Sequence, residues 1–275
     1  MARKSIRPCV LTIAGSDSGG NAGVQADLRA FHCYGLHGCT VFAALTAQNP
    51  RGVRSVLPVP PAFIADQLDA VFEMYGVKAL KTGMLATVEA IETVAAKLAA
   101  RPRIKKVVDP VMVATSGAKL IADDAIAALT ERLLPLATLI TPNLPEAEVL
   151  LGRPVRGREE MAAAARELAR RFGCAVLVKG GHAVEGDAAV GVVEDVLFDG
   201  RRVRVFAKPV LPNPVSTHGT GCSLAAALAA ELALGAGLAK AVEGAKNFVY
   251  EAIRLSYYIG KNCGVLGMPR KGRLV

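Results

Sequence analysis

The sequence predicts an α/β fold with a mainly parallel sheet, helices on both faces, and one domain over residues 1–275. Three observations carry this. Short β-branched runs alternate with amphipathic Ala/Leu segments along the chain. Several runs are apolar on successive residues, as strands covered on both faces are. Hydrophobic residues make up 52% of the 275, enough for one sizeable core, and no linker, repeat or low-complexity tract divides them.

The first strand is Val10–Ile13, followed by the loop Gly15-Ser16-Asp17-Ser18-Gly19-Gly20 and a helix over Gly23–Cys33. Strands then follow at Cys39–Leu45, Ala79–Thr82, Lys106–Asp109, Thr138–Thr141 and Ala175–Lys179. Between them, helical spacing covers Pro61–Tyr75, Val88–Ala100, Ala122–Leu133, Pro145–Leu151 and Arg158–Phe172. After Gly181 the texture changes: Val192–Phe198 and Arg202–Lys208, either side of Asp199-Gly200, read as an antiparallel hairpin, and two helices close the chain. Leu224–Val242 is apolar enough to weigh as a membrane span. Glu231, Gly235, Gly237 and Lys240 interrupt it, so a buried helix of a soluble protein is the better reading.

Net charge is +9, and the pI is near 9.4. Lys and Arg are scattered, aromatics are 5% and Trp is absent, so nothing offers a base-stacking surface for nucleic acid. A basic surface that attracts anionic small molecules is expected instead. The six cysteines form no Cys-x-x-Cys pair and no His cluster adds zinc spacing, which points to reduced thiols in a cytoplasmic protein. The apolar stretch Cys9–Ala14 is too short for a signal sequence.

In open parallel sheets, ligands bind beyond the carboxyl ends of the strands. Polar and Gly-rich residues gather there: the first loop, Gln48-Asn49, Gly83-Met84, Asp109-Pro110, Thr141-Pro142-Asn143 and Lys179-Gly180-Gly181-His182. Turn chemistry explains some of them, but not Asp109 and Lys179 at the ends of apolar strands. Asp109 is a candidate for a metal bridging phosphates. Lys179 reads either as a phosphate contact or as a strand-end lysine in water, and Glu146 either as a second carboxylate or as helix-dipole compensation. Neither G-x-G-x-x-G nor G-x-x-x-x-G-K-[ST] occurs. Asp27, early in the first helix, could anchor a polar substrate group.

The most informative stretch is Ser216-Thr217-His218-Gly219-Thr220-Gly221-Cys222, running straight into the Ala/Leu-rich Ser223–Leu234. A Gly-rich turn opening a helix aims several N–H groups and the positive dipole end at one spot, where phosphate binds. Cys222 at that mouth is expected to have a lowered pKa and to serve as a base. The alternative is a plain turn with a buried cysteine.

Leu11-Thr12-Ile13-Ala14-Gly15-Ser16-Asp17-Ser18-Gly19-Gly20-Asn21-Ala22-Gly23-Val24-Gln25-Ala26-Asp27 resembles the opening of the hydroxymethylpyrimidine/phosphomethylpyrimidine kinases of thiamine biosynthesis. Thr46-Ala47-Gln48-Asn49, Lys81-Thr82-Gly83-Met84-Leu85, Asp109-Pro110-Val111-Met112-Val113, Ile140–Ala147, Lys179–His182 and Thr217–Cys222 match in the same order, over residues 9–255. The resemblance implies a three-layer ribokinase-like fold, ATP and Mg²⁺ as cofactors, and commonly a homodimer. It implies Cys222 as base and Gly219, Thr220 and Gly221 as anion hole. Gly15, Asp27, Gln48, Met84 and Val111 match the pyrimidine pocket, Asp109 and Glu146 the metal region, and Asn143, Lys179 and Thr217 the nucleotide side.

The sequence departs from the family at four places. Asn21 replaces a usual Gly, Thr115 a common Lys, and Gly117-Ala118-Lys119 a Gly-Asp-Pro, while Tyr257–Val275 lacks the usual ending and reads as surface. Ala114–Lys119 and Ala183–Asp187 are candidate lids. Two other functions are weighed: a pyridoxal kinase, against which Gln48 argues, and a non-catalytic pyrimidine-phosphate sensor, against which Cys222, Asp109 and Lys179 together argue.

Overall fold

A computed structural model describes residues 7–112, 121–181 and 191–269. Both candidate lids and the last six residues of the tail lie outside these. The strands are β1 (Cys9–Asp17), β2 (His37–Asn49), β3 (Gly52–Pro58), β4 (Val77–Thr82), β5 (Lys105–Val108), β6 (Leu139–Ile140), β7 (Ala175–Lys179), β8 (Val192–Phe198) and β9 (Val203–Pro209). They form one sheet in the order β3-β2-β1-β4-β5-β6-β7-β8-β9. The centre, β2 through β7, is parallel; β3 and β8 pair antiparallel with its two ends, and β9 pairs antiparallel with β8.

Alternation along the strands divides the core. Val10, Ala79, Val107, Leu139 and Leu177 face α1 (Gly23–Cys33), α7 (Thr220–Ala233) and α8 (Leu238–Arg254). Leu11, Leu80, Val108, Ile140 and Val176 face the other side, with α2 (Pro61–Met74), α3 (Val88–Ala99), α4 (Asp123–Ala128), α5 (Leu144–Leu151) and α6 (Gly157–Phe172). The result is three layers, as expected. Burial on both faces is why the central strands lack a polar alternate residue.

Four expectations change. β1 and β2 run further than their apolar cores, and the end of β2 pairs with β3, an edge strand that the pattern missed because all its residues are exposed. Leu224–Val242 is not one helix: α7 stops at Ala233 with Leu234 as its cap, and Gly235 takes φ +89°, a conformation natural only to glycine, before α8 begins. Helix α4 passes at Leu129 into a π turn and then a short 3₁₀ turn. The tail is not all surface either. A small hairpin of β10 (Tyr257–Tyr258) and β11 (Gly264–Val265) buries Val265 and Leu266, whose carbonyl accepts from Arg29 Nη2 at 2.9 Å. Among the described residues, no helix is long and apolar enough to cross a membrane.

Candidate active site

The strand order reverses direction between β1 and β4, and the crevice of such a sheet opens at that point. Four charged side chains alternate in sign there. Lys81, at the end of β4, is fully buried, and its Nζ donates to both carboxylate oxygens of Asp27 on α1, at 3.1 and 2.9 Å. Thr12 Oγ1 donates to the same carboxylate at 2.6 Å. Beyond β5, Asp109 Oδ1 accepts from Lys179 Nζ at 2.7 Å and from Thr141 Oγ1 at 2.8 Å.

Helix α7 begins above these pairs. Gly219 is its N-cap at φ +85°, with no side-chain cap, and the first amide to close an intrahelical bond is that of Ser223, to the Gly219 carbonyl at 2.9 Å. The four preceding amides, of Gly219, Thr220, Gly221 and Cys222, have no partner within the helix. They include the three amides expected of an anion hole and Cys222's own N–H; that of Thr220 reaches the Thr217 carbonyl at 3.4 Å. Lys179 Nζ lies 3.7 Å from the Cβ position of Gly221.

The expected lowering of the Cys222 thiol is corrected. Burial pushes it up; Lys81 and the Gly23 backbone amide act the other way, while Asp27 and Asp109 add to the rise. The helix dipole does not outweigh desolvation here.

The first loop is built around Asp17, whose carboxylate accepts from the amides of Gly19 (2.8 Å), Asn21 (3.0 Å) and Ala22 (2.8 Å). Three convergent N–H groups on one buried carboxylate fix the loop's path. Gln48 is drawn to this loop through reciprocal bonds with Ser18, both 2.8 Å, and through Thr46, whose hydroxyl reaches the Ser16 carbonyl at 2.8 Å and Gln48 Oε1 at 3.1 Å. Gly15 N–H donates to the Met84 carbonyl at 3.0 Å. Gly15, Gln48 and Met84 therefore share one wall. Val111 sits two residues after Asp109 with φ +41°, a strained value for a β-branched side chain. Asp27 departs from expectation. Its carboxylate is sealed against Lys81 and Thr12, so it serves a buried ion pair, not a direct substrate contact.

Glu146 is also corrected. Its Oε2 accepts from Asn143 N at 2.9 Å while Asn143 Oδ1 accepts from Glu146 N at 2.8 Å, a capping box opening α5. Its Oε1 accepts from Met112 N at 3.1 Å. With both oxygens on backbone amides and burial pushing the carboxyl up to about 7, the helix-start reading accounts for it, and direct metal ligation does not.

On the far side of the α7 start lies a cavity of about 410 Å³ lined by Asn143, Lys179 and Thr217, the three residues expected on the nucleotide side, together with Thr220 and Gly221. Val193, Val210, Leu211, Val249 and Ile253 supply an apolar wall. Lys208 Nζ stands 5.4 Å from the Tyr250 ring centre at the same cavity. Asp195 joins Lys246 Nζ (2.6 Å) to the Gly180 amide (3.0 Å).

Sequence reasoning left Lys81, Thr12, Thr141, Asp195 and Lys246 without roles. A charge closing an apolar strand had singled out Asp109 and Lys179, and the same signal stands at Lys81.

Sheet order, layering and a helix start set over paired charges define the ribokinase-like class of phosphotransferases. The chain belongs to the phosphomethylpyrimidine kinase family, whose model, described as "Phosphomethylpyrimidine kinase", matches residues 17–267. It is 49% identical over 245 residues to the hydroxymethylpyrimidine/phosphomethylpyrimidine kinase of Rhizobium meliloti, covering 88% of this chain and 89% of that one. It is 50% identical over 258 residues to the thiamine biosynthesis bifunctional protein ThiED of Geobacter sulfurreducens; 94% of this chain is matched there, and it spans about half (51%) of that longer protein. Among solved structures, the ADP complex of Bacillus subtilis pyridoxal kinase superposes with a TM-score of 0.87 at 36% identity, over 96% of this chain and 98% of that one. The phosphomethylpyrimidine kinase of Clostridium difficile gives 0.79 at 36% identity, over 90% and 100%.

Proposed function

We propose that the chain transfers the γ-phosphoryl group of ATP to 4-amino-5-hydroxymethyl-2-methylpyrimidine and then to its monophosphate, in thiamine biosynthesis. One observation carries this reading. The start of α7 touches the first loop at Asn21 through Gly219 and lines the cavity of Asn143, Lys179 and Thr217 through Thr220 and Gly221. An alcohol on one side and a triphosphate on the other would meet at its N-terminal amides.

In that arrangement Gln48 pairs with the polar edge of the pyrimidine, while Met84 and Val111 cover its faces. The γ-phosphoryl is held by the amides of Gly219, Thr220, Gly221 and Cys222, with Lys179 alongside. Cys222 takes the hydroxyl proton as the phosphoryl arrives. Its thiol must first ionise, so turnover rises toward alkaline pH.

The donor set fits Mg²⁺ held mainly by phosphates and water, with Asp109 as its protein carboxylate. When bound, the ion supplies neutralisation of charge on the transferring phosphates. Six cysteines in the thiol form, Cys9 and Cys39 among them at Sγ–Sγ 3.4 Å, support a reducing, cytoplasmic setting. The homodimer is assigned to β3, an edge strand exposed throughout with Leu57 and Val56 on it. Light scattering of Leu57→Asp checks this: a dimer unaffected by the change rules that face out.

The decisive experiment compares ATP consumption with hydroxymethylpyrimidine, its monophosphate and pyridoxal. Faster turnover of pyridoxal than of both pyrimidines overturns the assignment.

A further inference from the structure

Val111 takes φ +41°, in the left-handed region that a β-branched side chain avoids. Such a backbone persists only where its surroundings over-determine it. On one side, the Asp109 amide donates to the Thr82 carbonyl at 3.1 Å, and the Asp109 carboxylate is held by Thr141 and Lys179. On the other, the Met112 side chain is sunk in the core, and its amide donates to Glu146 Oε1 at 3.1 Å. A capping box needs only one Glu146 oxygen, and Oε2 on the Asn143 amide supplies it. Oε1 is left over, and it reaches 34 residues back along the chain to Met112. Asn143 lines the nucleotide-side cavity, and the Pro142 carbonyl before it accepts from the Lys179 amide at 2.9 Å. One buried carboxylate thus bonds a segment at each of the two sites, with an oxygen for each.

We propose that Glu146 is a positioning residue that ties the strained Val111 turn at the alcohol site to Asn143 at the nucleotide site, so that filling either site orders the other. This rests on the proposed reading of those two sites. A nucleotide held against Asn143 fixes the first turn of α5 and Glu146 with it. Glu146 then fixes the Met112 amide and the Val111 backbone beside it, so Val111 is in place when the alcohol arrives. By linkage the effect is equal in both directions. Were Glu146 only a helix cap, its loss would weaken α5 and leave the two affinities as coupled as before.

The test is isothermal titration of hydroxymethylpyrimidine into the protein with and without saturating AMP-PCP and Mg²⁺. The parent should bind the pyrimidine about fivefold or more tightly with the nucleotide present. Glu146→Gln has one acceptor oxygen for two amides, so one tie is lost whichever way its amide group turns. The ratio of the two affinities should then fall to near one, with the affinity for AMP-PCP alone little changed. Val111→Gly keeps the carboxylate and its bonds but removes the side chain that it holds, and glycine takes that φ freely. Its ratio should fall as well, and it stands in if Glu146→Gln does not fold. A parental ratio near one, or a ratio that both variants keep, overturns the inference. If hydroxymethylpyrimidine is not phosphorylated, the reading of the function falls; the same ratios are then measured with pyridoxal, and the same outcomes decide the inference.

Discussion

A side chain on Gly219 would overlap the carbonyl oxygen of Asn21, so the start of α7 and the first loop touch with no room for a methyl group. The backbone at Gly219 is also left-handed, at φ +85°. Gly219→Ala therefore meets strain and collision together. A loss of about 1–3 kcal/mol in denaturant unfolding is expected, with a larger fall in turnover, because the amides are re-aimed.

Cys222→Ala should bind ATP and pyrimidine nearly as the parent does while kcat falls by about 10²–10⁴. The parent's kcat should climb with pH through the titration of the raised thiol. Cys222→Asp replaces it with a group ionised at neutral pH, so the climb should flatten. Steady-state kinetics and isothermal titration on the three proteins decide the matter; a Cys222→Ala enzyme of near-parental kcat would leave positioning alone in charge.

Gln48→Met keeps the bulk and removes the polar partner. The KM for hydroxymethylpyrimidine should rise about tenfold or more with the ATP KM little changed, since a buried ring edge would be left unpaired. Equal rises in both KM values would place Gln48 outside the substrate pocket.

Glu146 gives a stability prediction with a definite sign. Its folded carboxyl is raised to about 7 from 4.5, so between those values the folded state holds a proton that the unfolded chain has released. Stability from this group is present below about 4.5 and falls as pH rises toward 7. Glu146→Gln should be less stable than the parent at pH 5, where a capping acceptor is compromised, and should lose less Tm between pH 5 and 7. Thermal melts across that range check both.

Most of the sheet was legible because strands buried on two faces leave continuous apolar runs, as Ala175–Lys179 does with matching bounds. β3 was not, since an edge strand with every residue exposed leaves no periodic trace. The site divides the same way. Cys222, Asp109 and Lys179 stood out as polar groups beside apolar runs. The partners of Asp27 and Glu146 did not, because a carboxylate that closes on a lysine from another strand or on a neighbouring amide reads like one that awaits a ligand. Spacing fixes position along an element; only tertiary packing says which way a charge turns. For Cys222, the sequence shows the helix end but not the desolvation that outweighs it.

The place of α7 in the chain bears on how the protein is made. β4 and β5 lie in the interior of the sheet and are made early, yet α7, the helix that covers them, begins only at Thr220. A nascent chain emerging from the ribosome carries a partly uncovered apolar sheet face until α7 has been synthesised. Fragments ending before Ala233 should consequently aggregate or be degraded, not accumulate as folded, inactive protein. The segment proposed to complete the chemistry is also the one that closes this face of the core.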